Sequence, residues 1–399
     1  MKHLKLYALL VAGLLMLTTS CEKEEDLTVS DEISLQTPID DQVIPGRYIV
    51  VFRSEAAKGM SFKSDATYTE RTTEARNRIK EILATRSISE EVIERTYSST
   101  IFGFAGELSS RDLDELKRDP NVAYIEQDRI IALAPPAGKG PGGGGDGGGG
   151  SQTVPYGIAR VGGPMDGTGR TAWVIDSGID LDHPDLNVDV ARSVTFVTQG
   201  KSTADDGNGH GTHVAGTIAA LDNNTGVVGV AAGASVVAVR VLDNSGSGSY
   251  SGVIGGVDYV GANAGPGDVA NMSLGGPIST ALDDAVESAA SGGTTFCIAA
   301  GNSGANANNY SPSRVSHNNV HVIAAIDSND VLAYFSNYGN NVDYSAPGVS
   351  VESTYKGGGY SSLSGTSMAS PHAAGVCLMG NPSTDGSNSG SHSFPIIHL

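Results

Sequence analysis

The 399-residue chain is short of basic residues, with 25 Lys and Arg against 44 Asp and Glu and a formal charge of -19. That balance excludes functions that depend on attracting nucleic-acid phosphates. Long apolar runs are also scarce. Residues 6–17 form one, preceded by Lys2 and Lys5, but it is short for a membrane span and reads as the core of an export signal. Cysteine is limited to three positions, Cys21, Cys297 and Cys377. The last two sit in apolar and small-residue stretches, which leaves two readings open: buried free thiols, or a disulfide in an exported protein.

What is present divides the chain into segments. Residues 1–20 are the signal, and 21–45 are a polar, acidic tether. Residues 46–134 carry, in order, the patterns of strand, helix, strand, strand, helix and strand, which predicts a small α+β ferredoxin-like domain. Within it Ser109 is placed to cap a helix that Pro120 ends. Residues 135–150 begin Pro-Pro and are then mostly glycine, a linker open to proteolysis. From 151 to 380, apolar runs at 171–175, 236–242, 269–272, 294–300 and 320–325 alternate with helical stretches. The pattern predicts an α/β domain, a parallel sheet flanked by helices, with its functional groups where strands end. Residues 381–399 read as a polar tail.

Three segments of this larger domain carry the members of a nucleophilic set. Val174-Ile175-Asp176-Ser177-Gly178 places a carboxylate at the end of a buried strand. Asn208-Gly209-His210-Gly211-Thr212-His213 sets an imidazole among small residues at a helix start. Ser364-Gly365-Thr366-Ser367-Met368-Ala369 puts a hydroxyl at the first turn of another helix, beside unpaired backbone N–H groups. A serine hydroxyl is a weak nucleophile until a base takes its proton; a neutral imidazole does so at physiological pH when a carboxylate fixes its tautomer.

Together these segments strongly resemble the subtilisin-like (subtilase) serine peptidases, with some stretches nearer the proteinase K group. The resemblance implies that Asp176 orients the base, His210 is the general base and acid, and Ser367 attacks the scissile carbonyl. Asn302, in Ala300-Gly301-Asn302-Ser303, then supplies an oxyanion donor. Gly246, Ser247 and Gly248, with Ser273, Leu274 and Gly275, would form the edges to which an extended polypeptide substrate adds as a strand. Residues 151–156 and 221–227 resemble a structural calcium site, which implies Gln152, Asp185 and Asn223 as side-chain ligands and Leu221, Thr225 and Val227 as carbonyl ligands. The first domain resembles the family's inhibitor propeptides, so it would template folding, block the cleft and be cut off between Leu133 and Ser151.

Thr19-Ser20-Cys21 resembles a lipobox, implying lipidation of Cys21 and a membrane tether. The expected protein is thus an exported, monomeric, self-processing endopeptidase zymogen. A competing reading is a catalytically inactive surface lipoprotein acting as an inhibitor or binding module, and it rests on the short segment after Gly380.

Overall fold

The computed structural model describes residues 42–60, 65–133, 151–198, 202–380 and 382–399. The export signal, Cys21 and the glycine linker therefore lie outside the described residues, as does most of the tether.

In the first domain the expected element order is found: β1 (Val43–Phe52), α1 (Tyr68–Ala84), β2 (Arg95–Tyr97), β3 (Gly103–Glu107), α2 (Ser110–Lys117) and β4 (Val122–Ala132). The strands pair antiparallel in the order β4-β1-β3-β2. Both helices start on side-chain caps. Thr67 and Glu70 form a reciprocal capping box on α1, and Ser109 accepts the Asp112 N–H on α2. Ile79, Ile82 and Leu83 lie on one face of α1 at helical spacing and bury against Val50, Phe52, Phe104 and Leu116. β1 begins at Val43, ahead of the expected boundary at residue 46, through an irregular pairing with β4 between Val43 and Tyr48.

The second domain adds β5 (Thr171–Asp176), α3 (His210–Ala219), β6 (Ser235–Arg240), β7 (Ser247–Ser249), α4 (Tyr250–Asn263), β8 (Val269–Met272), α5 (Thr280–Ser291), β9 (Thr295–Ala299) and β10 (Val320–Ile326). It continues with β11 (Tyr344–Pro347), β12 (Val351–Tyr355), β13 (Gly359–Leu363), α6 (Thr366–Met379), β14 (Ser383–Ser387) and β15 (Pro395–His398). The main sheet runs β14-β15-β11-β10-β9-β8-β5-β6 and is parallel except for β14. Side chains of β5 alternate between its two faces. Ala172 and Val174 join the core under α3 and α6, whereas Trp173 and Ile175 join the core under α4 and α5. Ile49, Val51, Tyr97, Ile101 and Ile131 of the first domain are buried in that second core, so the small domain docks on α4 and α5. Among the described residues no helix is long and apolar enough to cross a membrane.

The segment after Gly380 departs from the expected polar tail. It folds into the β14–β15 hairpin, and β15 extends the main sheet beyond β11. Ile396 and Ile397 are buried, the latter in the core beneath α6, so this short apolar run fills a position inside the sheet between β14 and β11. Arg160 fastens the hairpin, donating to Asp330 Oδ1 at 2.8 Å and to Asp385 Oδ2 at 3.1 Å.

Candidate active site

Asp176 is the last residue of β5, and its side chain is fully buried. Oδ1 accepts the Ser177 N–H and lies 2.8 Å from Nδ1 of His210. His210 is the first residue of α3, placed there by a loop wound around the buried Asp206. That carboxylate accepts from Ser177 Oγ and the N–H groups of Asn208, Gly209 and Thr212, and from Thr212 Oγ1. Gly209 caps the helix at φ 107°, and a Cβ there would meet the Tyr355 ring at 2.3 Å, so only glycine fits. Burial pulls the His210 pKa down, but the charge and hydrogen bond of Asp176 outweigh it, and the net shift is upward from the ordinary histidine value.

His213, one turn further on, belongs to the fold. Its Nε2 faces the carbonyl oxygens of Val351 and Ser361 at 3.0 and 3.1 Å, and burial with the neighbouring His210 lowers its pKa to about 3. It stays neutral and holds the β12–β13 hairpin against α3.

Ser367 stands in the first turn of α6, at the C-terminal end of β8. Its Oγ donates to the Ser273 carbonyl at 3.1 Å, and Ser273 Oγ donates back to the Ser367 carbonyl at 2.7 Å. Asn271 supports Ser273 from β8 through a 2.9 Å bond and accepts from Ser370 of α6. The Ser367 hydroxyl is thus turned toward Ser273 and not toward His210. Yet β8 and β5 are adjacent, and Ser273 lies two residues past the Asn271–Val174 pair, level with Asp176. Neighbouring strands are about 4.8 Å apart, so the serine and the Asp176–His210 pair sit over the ends of adjacent strands.

Asn302 follows the end of β9, the next strand along. Its Oδ1 accepts both the Thr366 N–H and Thr366 Oγ1, each at 2.8 Å. With the oxygen engaged, Nδ2 is left as the donor, and it lies 3.3 Å from where a Cβ on Gly365 would be. Thr366 and Asp206 escaped the reading of the sequence. The signal for Thr366 was its place beside Ser367, whereas Asp206 carried none beyond its nearness to His210.

The predicted substrate edges fare differently. β7 is paired antiparallel with β4 of the first domain, Ser247 opposite Ala132 and Gly248 opposite Ile131, and Leu133 N–H donates to Gly246 O at 2.9 Å. The strand heads toward the histidine loop, since both Leu133 and Asn208 border Gly246. Ser273 is engaged with Ser367, Leu274 is buried, and Gly275 packs beside Ser311 and Pro312. Two carboxylates of β4 also cap helices of the larger domain. Asp128 accepts from Ser251 N–H and Oγ at the start of α4, and Glu126 accepts from Ser279 Oγ and the Ala281 N–H at the start of α5. In return Asp258 of α4, fully buried, accepts the N–H groups of Ser98, Ser99 and Thr100.

The residues expected to hold calcium gather at the far side of α3. Bridges from Ser151 to Thr225 and from Thr153 to Val227 carry Gln152 onto the 221–227 loop, where its Nε2 donates to Leu221 O at 2.9 Å. Asn223 Nδ2 donates to Asp185 Oδ1 at 2.7 Å, and Asp185 Oδ2 accepts from Val227 N–H and Tyr360 OH. Asp185 is 1% exposed, and burial raises its pKa above the usual carboxylate range. As placed, Asn223 and Val227 turn N–H groups toward this carboxylate, so the set suits a hard cation only with the Gln152 and Asn223 amides reversed to present their oxygens.

Comparison with known proteins agrees with this geometry. The subtilase family model matches residues 167–379, and the peptidase inhibitor I9 model matches residues 47–134. The chain belongs to the subtilase family. It is 41% identical to alkaline serine exoprotease A of Vibrio alginolyticus over 85% of this chain and 61% of that protein, so it spans less than two thirds of that relative. It is 42% identical to subtilisin NAT of Bacillus subtilis subsp. natto over 69% of each chain. Among solved structures, a cold adapted subtilisin-like serine proteinase matches with TM-score 0.52 at 44% identity, covering 56% of this subtilase and 83% of that chain.

Proposed function

We propose that this subtilase is a serine endopeptidase made as a zymogen, with Asp176, His210 and Ser367 as its triad. The observation that carries the reading is the buried Asp176 carboxylate 2.8 Å from His210 Nδ1, over the strand end next to the one that holds Ser367. Asp176 keeps the proton on Nδ1, so Nε2 is free to take the serine proton. Rotation of the Ser367 side chain away from Ser273 O brings Oγ into use. Attack on a peptide carbonyl forms a tetrahedral oxyanion, which accepts hydrogen bonds from Asn302 Nδ2 and the Ser367 N–H. His210 then protonates the leaving amine, and water attacks the resulting acyl-enzyme by the same route.

The I9-like domain serves as the intramolecular inhibitor. Its β4 adds to β7 as a substrate strand would, and this supports Gly246, Ser247 and Gly248 as the substrate edge. Ser273, Leu274 and Gly275 form the facing wall, with Ser273 also steadying the nucleophile. Calcium bound by Gln152, Asp185 and Asn223 with the Leu221, Thr225 and Val227 carbonyls would neutralise the buried Asp185 charge. Turning the Gln152 and Asn223 amides end for end presents their oxygens to it. Export and lipid attachment at Cys21 complete the reading and place the zymogen at a membrane surface. Ser367→Ala in the full chain tests it: the variant is expected to remain at precursor length, whereas maturation to the shorter form would remove self-processing.

A further inference from the structure

We infer that Cys297 and Cys377 are joined by a disulfide that fastens the nucleophile helix α6 to strand β9. Of three cysteines in 399 residues, these are the two within the described domain; both are free thiols in the structure, one buried and one half-buried, and they belong to distant parts of the chain. Cys297 lies fully buried in the middle of β9, in register with His321 of β10, so thiol and imidazole share one face of the sheet. That face is covered by α6. Cys297 belongs to the same core as Ala373, Ala374, Val376 and Leu378, and the half-buried Cys377 packs against it. The two thiols are close enough to influence one another, with Asp343 and Tyr344 beside them. Buried thiols acting as small apolar groups have no need to meet, and a random pair of core positions seldom does.

The oxidation breaks two S–H bonds and forms one S–S bond. Two electrons and two protons pass to a disulfide-bearing oxidant, a thiol oxidoreductase of the export compartment or oxidised glutathione, which leaves as the dithiol. Contact with Cys377 and burial raise the Cys297 pKa well above its ordinary value, so thiolate is scarce once α6 has docked. The bond therefore forms as the chain folds, and the folded, reduced protein oxidises slowly. The crosslink has a consequence for the site. Cys377 is on the helix whose first turn carries Ser367, and Cys297 is on the strand that leads to Asn302, so the bond fixes the spacing of the two oxyanion donors.

The test uses the full chain as Ser367→Ala, to prevent self-digestion, refolded in a buffer of oxidised and reduced glutathione. The protein is unfolded and alkylated with iodoacetamide before or after reduction, and its peptides are mapped by mass. A linked Cys297–Cys377 peptide, with neither residue alkylated until reduction, is the expected result. Alkylation of both without reduction overturns the inference, and mapping separates either outcome from the chemistry of Cys21. Thermal melting gives a second reading. Dithiothreitol is expected to lower Tm by on the order of 10 °C and to leave the Cys297→Ala/Cys377→Ala chain unmoved. An equal response of the two chains sinks the crosslink.

Discussion

Asp176 Oδ1 holds His210 Nδ1 at 2.8 Å, while the other oxygen of that carboxylate, Oδ2, is buried without a hydrogen-bond partner. The charge is therefore directed onto the imidazole, and this is why the His210 pKa ends above its ordinary value although burial alone would depress it. Catalysis needs the neutral ring, so kcat/KM is expected to fall as pH drops through a value above the ordinary histidine one. The sign for stability is opposite. A raised folded-state pKa makes the ion pair stabilising below the unfolded pKa, and that contribution is lost as pH rises through the folded one. Asp176→Asn should move the acid limb to lower pH and reduce kcat by on the order of 10⁴-fold. A pH–rate profile of both forms checks this, and an unmoved limb would separate Asp176 from the base.

Thr366 grips Asn302 Oδ1 with two 2.8 Å bonds, which fixes the side on which the amide donates. Asn302→Ala should lower kcat by about 10²- to 10³-fold with KM little changed, because the bond is made mainly to the oxyanion. Thr366→Val keeps the shape and the backbone bond but removes the hydroxyl one, so the amide is held less firmly and a smaller loss in kcat is expected. Steady-state kinetics on a peptide anilide distinguishes the two roles. A raised KM with kcat unchanged would mean that Asn302 acts in ground-state binding.

Much of this architecture was legible because the informative signals are local. Ser109 before Asp112 announces α2, and the continuous apolar run that ends at Asp176 announces a buried strand. The catalytic segments were legible for the same reason, since each is a short stretch with its own residue pattern. What escaped depends on distant partners. Glu126 and Asp128 look like solvated acids of a strand, yet they cap helices more than 120 residues away. Ser273 looked like an open substrate edge, and its exchange of hydrogen bonds with Ser367 needed α6 in place. The stretch Pro395–His398 is too brief to announce a strand among serines and glycines, and only its pairing with β11 makes it one.

Chelation tests the loop around Asp185. With calcium at a hundredfold excess over Kd, binding to the folded state alone contributes about 2.7 kcal/mol, so removal of the ion should lower Tm before it alters turnover at moderate temperature. Asp185→Asn removes the one carboxylate of the donor set, and its Tm should be insensitive to chelator. Differential scanning calorimetry with and without EGTA reads both. An unshifted parent Tm would remove calcium from the account.

Docking of the first domain should be linked to a proton at Asp283. This residue lies in the first turn of α5, where Glu126 and Tyr124 of β4 close over the helix end and Asp284 sits alongside. Its Oδ1 is buried without a partner, and Arg314 approaches Oδ2 only to 3.5 Å. Burial first, then the charges of Glu126 and Asp284, outweigh Ser311 and Arg314 and raise its pKa to about 7. Without Glu126 and the cover of β4, this carboxyl should titrate lower, toward the ordinary carboxylate value of about 4. Binding then takes up a proton between these values, so affinity rises as pH falls from about 7 toward 4 and is level above 7. Allowing for partial exposure, the inhibition constant of isolated propeptide should weaken on the order of tenfold between pH 5 and 7. Asp258, also raised by burial under the first domain, contributes in the same direction. The deciding comparison is therefore Asp283→Asn, whose inhibition constant should change less with pH than that of the parent, and matching slopes would assign the proton elsewhere.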